Sequence, residues 1–109
     1  MNEVINIEEK LNLFSDLWSP KRIEKLNGQQ VIPAKVKGEF VFYKHTDQDY
    51  LFMVIEGQLT IKLKDKTVVI NSFEFYTDER GVEHKPSTEV ETHLLLIEPM
   101  DTTYRRRSC

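Results

Sequence analysis

Three histidines and one cysteine are the side chains best suited to bind a metal or move a proton near neutral pH: His45, His84, His93 and Cys109. Cys109 is the last residue, and a lone cysteine makes no disulfide within the chain, which fits a reducing compartment. Tyr43 stands two positions before His45, so on a strand both side chains would face one way. Acids flank both histidines: Asp47 and Asp49 follow His45, and Glu83 precedes His84. Imidazole and carboxylate together suit iron, manganese, nickel, copper or zinc. A neutral phenol, with a pKa of about 10, is a poor ligand by comparison. A lone histidine such as His93 is expected to be a structural or surface residue.

Other chemistry has no footing in the sequence. It contains no glycine-rich phosphate loop, no CxxC pair and no nucleophile elbow. The net charge of -3 gives no general attraction to nucleic acid or to an anionic membrane. The first ten residues, MNEVINIEEK, are acidic and lack the pattern of a secretory signal, and apolar runs such as Leu94 to Ile97 are far too short to span a bilayer. A cytoplasmic protein is expected. With 109 residues, 1–109 forms one domain that buries a core without disulfides.

The elements that must hold these residues are mostly strands. Residues 1–18 read as a helical segment, because Ile7, Leu11, Phe14 and Leu17 or Trp18 recur at helical spacing. Asn6 can cap it, with Glu9 placed as a capping-box acid, and Ser19-Pro20 ends it. From there the period becomes two. Strands are expected over 30–37, with Pro33 marking an edge or bulge, and over 40–44, 51–55, 59–63, 67–70, 73–77 and 92–98. Leu59, Ile61 and Leu63 alternate with Thr60, Lys62 and Lys64, which is a half-buried strand. Glu56-Gly57 and Asp65-Lys66 read as tight turns. Short strands at this spacing indicate a sandwich or barrel over 30–99. The tail 100–109, with Arg105, Arg106 and Arg107 before Ser108 and Cys109, is expected to be flexible, basic and solvated.

Two stretches resemble known motifs. GEFVFYKHTDQDYLFMVIEG, from Gly38 to Gly57, is similar to the first motif of the cupins, in which glycine precedes HxH, an acid follows and a glycine closes the turn. FEFYTDERGVEH, from Phe73 to His84, resembles the second, which opens on glycine and ends in PxGxxH. The resemblance covers nearly the whole chain to about Pro99 and implies an all-β cupin barrel (a double-stranded β-helix, or jelly roll) with a short N-terminal helix. It also implies that two histidines and an acid of the first motif and a histidine of the second hold a divalent metal. Here His45 and His84 match, while Tyr43 stands in place of the first histidine and Tyr50 in place of the acid; Phe73 and Glu79 replace a glycine and a proline of the second motif.

The expectation is therefore a small-molecule-binding or accessory protein whose metal site is lost or weakened and whose pocket is lined by Tyr43, His45, Tyr50 and His84, with its catalytic status left open. No cofactor is expected. The alternative is a metal-dependent enzyme (isomerase, oxygenase or sugar-modifying) with a divalent or ferric ion on His45 and His84, where a ferric ion would draw in the phenols as phenolates. Inward Val41, Tyr43 and His45 leave Phe40 and Phe42 outward. Inward Tyr50, Phe52 and Val54 likewise leave Leu51, Met53 and Ile55 outward. Strands apolar on both faces need a cover, and a homodimer is expected.

Overall fold

The computed structural model describes residues 4–19, 21, 23–40, 43–44, 49–99 and 105–106, those at Tyr43 and 105–106 as backbone only. Helix α1 (Ile7–Leu11) is capped by Asn6, whose side-chain oxygen accepts the Glu9 N–H at 3.0 Å. It ends after five residues, so the expected helix to Trp18 is not formed. The reason is tertiary. The chain opens so that Trp18 N–H donates to Lys35 O at 2.7 Å and the indole Nε1–H to Lys37 O at 2.9 Å, while the ring stacks on Phe40 at 4.9 Å. Hydrogen bonds to an open strand edge outweigh a short apolar stripe, because isolated helices of this length are marginal. Trp18 adopts a left-handed backbone (φ 58°) to make this docking.

The strands are β1 (Glu24–Leu26), β2 (Gln29–Glu39), β3 (Tyr43–Lys44), β4 (Tyr50–Glu56), β5 (Gln58–Lys62), β6 (Thr67–Asn71), β7 (Phe75–Asp78), β8 (Lys85–Pro99) and β9 (Arg105–Arg106). All pairings are antiparallel. The ladder runs β1-β2-β8-β4-β7, and β5 pairs with both β6 and β8. β8 is thus the hub: it pairs with β2 over nearly its full length, with β4 at one end and with β5 at the other. This is the expected all-β barrel, made by one long bent strand shared between the two halves.

Alternation decides what is inside. Tyr50, Phe52 and Val54 are buried while Leu51, Met53 and Ile55 are half-buried, and Leu59, Ile61 and Leu63 point in with Lys62 out. Ile32, Ala34, Val36, Leu94 and Leu96 complete the core. β2 is covered on both faces. Pro33 and Lys35 are also buried, and Lys35 Nζ donates to Phe14 O at 2.6 Å from beneath the N-terminal segment. Pro33 O accepts from Lys21 N–H, so the side of Pro33 that lacks an N–H faces this segment and not β8, as an edge proline should.

Three expectations need correction. Gly57 is not a hairpin turn, since β4 and β5 are not paired; it is the corner where the chain leaves the β4-β8 ladder for β5. The last strand starts at Lys85, not 92, because Pro86 and the exposed run Glu89 to Glu91 hide its first half in a strand pattern. Within the basic tail, Arg105 and Arg106 form β9 against Lys44 and Tyr43. Val41, Phe42 and the remainder of the tail, Cys109 included, lie outside the described residues.

Candidate functional site

The interior ends in a polar row. Tyr50 opens β4 and is paired with Asp78, which closes β7. On the other side of β4, the pairing Leu51↔Ile97 puts Glu98 beside Tyr50 on the next rung, and Glu98 is in turn paired with Gln30. The row therefore reads Gln30, Glu98, Tyr50, Asp78 across four strands. Tyr50, Asp78 and Glu98 are 1%, 1% and 2% exposed. Ladder spacing sets neighbouring members about 5 Å apart along the row. Apolar layers of Phe52, Leu96 and Ile32 lie beneath.

His84 packs against this row. It is fully buried, with its ring tilted at 5.8 Å from that of Phe52, and its Nδ1 lies 2.7 Å from Asp78 Oδ2. The straighter Nδ1 hydrogen bond is to Val82 O, at 3.3 Å. The Asp78 approach is thus a close polar contact off the N–H axis, which agrees with neither carboxyl oxygen of Asp78 having a hydrogen-bond partner in good geometry among the described residues. Burial pushes the Asp78 carboxyl pKa up, against the opposing pull of His84. An acid held this way in the core of a small domain is not required by the fold, and such groups concentrate at functional sites.

The sequence-derived residues fall as follows. Tyr50 and His84 are inside, at the same end of the barrel. Tyr43 lies in β3, and His45 and Asp47 fall outside the described residues. Asp49 is on the surface, where its carboxylate accepts from Arg80 N–H and Nε–H at 2.9 and 3.1 Å, which lowers its pKa and ties the start of β4 to the turn after β7. Glu83 is half-buried beside the inward His84. His93 faces out, with Nε2 2.8 Å from Glu91. Asp78 and Glu98 were missed. Parity was the available signal for Asp78: it alternates with Tyr76, which packs on the core. Its place opposite Tyr50 depends on a register that no local pattern states.

A divalent ion needs several convergent donors. Among the described residues no three His, Cys, Asp or Glu side chains converge. The described pair, Asp78 and His84, meets Nδ1 to Oδ2 and does not by itself fit a metal. A separate open groove of about 470 Å³ lies on the outer surface between Glu39, Thr60, Ser87 and Glu89, away from the polar row.

These features define a small β-barrel with an inward histidine and acid at one end. No family model matches the chain. The chain is 35% identical over 99 residues to the uncharacterised protein YdbB of Bacillus subtilis, spanning 90% of this chain and 88% of that protein. A cupin-2 domain protein of Shewanella frigidimarina superposes with a TM-score of 0.87 at 42% identity, covering 88% of this chain and 94% of that one. A hydroquinone 1,2-dioxygenase of Sphingomonas sp. TTNP3, solved with 4-hydroxybenzoate, has a TM-score of 0.76 at 11% identity over 86% of this chain and 72% of its own; it shares the fold alone. The chain belongs to the small cupins of the cupin-2 type. No helix among the described residues is long and apolar enough to cross a membrane.

Proposed function

We propose that this cupin binds a small molecule at the polar end of its barrel and that its metal site is lost or weakened. The observation that carries the reading is the buried end row, in which Tyr50 stands at the acid position and the acid of that region, Asp78, closes on His84 at 2.7 Å. Phenol, carboxyl and imidazole above an aromatic and aliphatic floor are the lining of a small-molecule site. Two histidines without further donors hold a divalent ion poorly.

A metal-dependent cupin is the second reading, and the same row favours it in one respect. Asp78 returns a carboxyl to the place where Tyr50 removed one, so His45, His84 and Asp78 together would provide two imidazoles and an acid. Elemental analysis of the purified chain separates the readings. Less than stoichiometric metal, unchanged in the His45→Ala/His84→Ala double variant, is expected. One tightly held ion per chain, lost in that variant, would overturn the first reading.

The outer face supports a homodimer. Met53 is paired with Phe75 on one side and Leu95 on the other, so the outward apolar positions of β7, β4 and β8 adjoin, and Phe75 is 60% exposed. The N-terminal segment covers β2, not these strands. A second copy laid on this face would bury it. Sedimentation at micromolar concentration should give a dimer, and Phe75→Glu a monomer; a monomeric wild type would refute the interface.

A further inference from the structure

We infer that Phe73, held out on a strained turn, is the anchor through which a second copy of this chain docks on the apolar face of β7, β4 and β8. The inference rests on the homodimer reading above and names the residue that decides it. Phe73 is 80% exposed and its backbone is left-handed, at φ 67°. Both features are unfavourable in a lone chain. An L side chain crowds the backbone in that conformation, and a ring left in water gains nothing from burial. Glycine or asparagine at this position would remove both costs.

The turn is held in this form from several sides. Glu74 N–H donates to Asn71 O at 2.9 Å, closing a four-residue turn whose third residue is Phe73. A positive φ there, with Ser72 before it not left-handed, is type II geometry, which favours glycine at the third position. Phe73 N–H donates to Val54 O at 2.7 Å, while Val54 N–H donates to Glu74 O at 3.0 Å. Two residues thus oppose one of β4, which is a bulge at the entry to β7. Glu74 Oε1 accepts from Asn71 N–H at 2.9 Å, Asn71 Oδ1 from Gln58 Nε2–H at 2.8 Å, and Ser72 Oγ from Gly57 N–H at 3.3 Å. Strained residues persist where their surroundings over-determine them, and they cluster at functional positions. Here what the strain delivers is an aromatic ring in solvent.

Area and charge identify what covers the ring. Phe73 stands two residues before Phe75, which is 60% exposed at the β7-β4 ladder. Burying an aromatic side chain removes about 150 to 250 Å² from water. The exposed parts of these two rings therefore offer about 210 to 350 Å². That is roughly a third of the ~800 Å² that each partner gives to a stable interface. The neighbouring Leu51, Met53 and Leu95 are already half-buried, so the two rings dominate. The chain carries a net charge of -3, so two copies repel in general. They meet at least cost through uncharged positions, and the outward Leu51, Met53, Ile55, Phe75, Leu95 and Ile97 carry no charge. In a two-fold interface each copy supplies its own Phe73, so the anchor counts twice.

The test is sedimentation equilibrium of the full chain and of Phe73→Asn, with melting curves of Phe75→Glu and of Phe75→Glu/Phe73→Asn. Asparagine tolerates a left-handed backbone and lacks the ring. The wild type should dimerise at micromolar concentration, and Phe73→Asn should raise the dimer dissociation constant about tenfold or more with unchanged circular dichroism. In the monomeric Phe75→Glu background, adding Phe73→Asn should leave the melting temperature unchanged or raise it by a few degrees, because strain is relieved and the ring packs on little within its own chain. A fall in melting temperature there would make Phe73 a structural residue and overturn the inference. A smaller rise in the dissociation constant would overturn the role of Phe73 and leave the homodimer reading standing. A dimeric Phe75→Glu would overturn both. A monomeric wild type would do the same and leave a different protein as the occupant of the face.

Discussion

Gly57→Ala should lower the stability of this protein by about 3 kcal/mol or more, the sum expected from a strained backbone and local overpacking. Gly57 has φ +110°, a conformation that L side chains rarely adopt. A Cβ there would sit 2.5 Å from Thr92 Oγ1, 3.0 Å from its Cβ and 3.1 Å from its Cα. None of these atoms can yield easily. Thr92 is fully buried, and its hydroxyl accepts from Gln58 N–H, donates to Gln58 O or Val90 O, and lies 2.9 Å from Thr88 Oγ1. The Thr92 backbone is part of β8, which three other strands use. Urea denaturation would show a lower midpoint at unchanged slope. Adding Thr92→Ala should not restore stability, because the φ strain and the crowding against the β8 backbone remain. A loss under about 1 kcal/mol for Gly57→Ala would mean that the corner relaxes at little cost.

His84→Ala should be of similar size, about 3 to 5 kcal/mol near neutral pH, because it strands Asp78 as a buried carboxylate and opens a cavity beside Phe52. The pH dependence identifies the cause. Burial already raises the pKa of Asp78 above its ordinary value of 3.8, and His84 is what holds it back. Without His84 the folded pKa rises further. Between the unfolded value and that raised value the folded chain holds a proton that the unfolded chain has lost, so stability grows as pH falls through the window and declines as pH rises. The deficit of His84→Ala relative to wild type should therefore shrink from pH 7 toward pH 5. Asp78→Asn in the same background should reduce the deficit and flatten its pH profile. A deficit that is constant with pH and untouched by Asp78→Asn would assign the whole loss to the cavity.

The barrel was legible because its signal is local. Leu59-Ile61-Leu63 and Tyr50-Phe52-Val54 declare their inner faces by alternation, and both triplets are buried as read. The helix was legible at its cap, Asn6, and not in its length, because what stops it is a hydrogen bond from Trp18 to Lys35, residues joined only by the fold. The same holds for the site. Tyr50 and His84 lie in motifs and could be found. Asp78 and Glu98 acquire meaning only when β7 and β8 flank β4, since a one-residue slip would turn either acid outward. Motif resemblance pointed to the position of an acid at Tyr50, while the barrel places its acids on the two neighbouring strands.

The hub role of β8 also sets the order in which the molecule can assemble. Residues 85–99 provide ladder partners for β2, β4 and β5, so three strands made earlier each wait for a partner in the last part of the barrel to be synthesised. Gln29 meets Pro99 across most of the chain's length, and such distant closure makes folding slow compared with helical domains of this size. On the ribosome, the apolar β4 stretch from Leu51 to Ile55 can pair early with β7, but its other edge stays open until residues 93–97 have emerged, which leaves that edge exposed to wrong pairing during the interval.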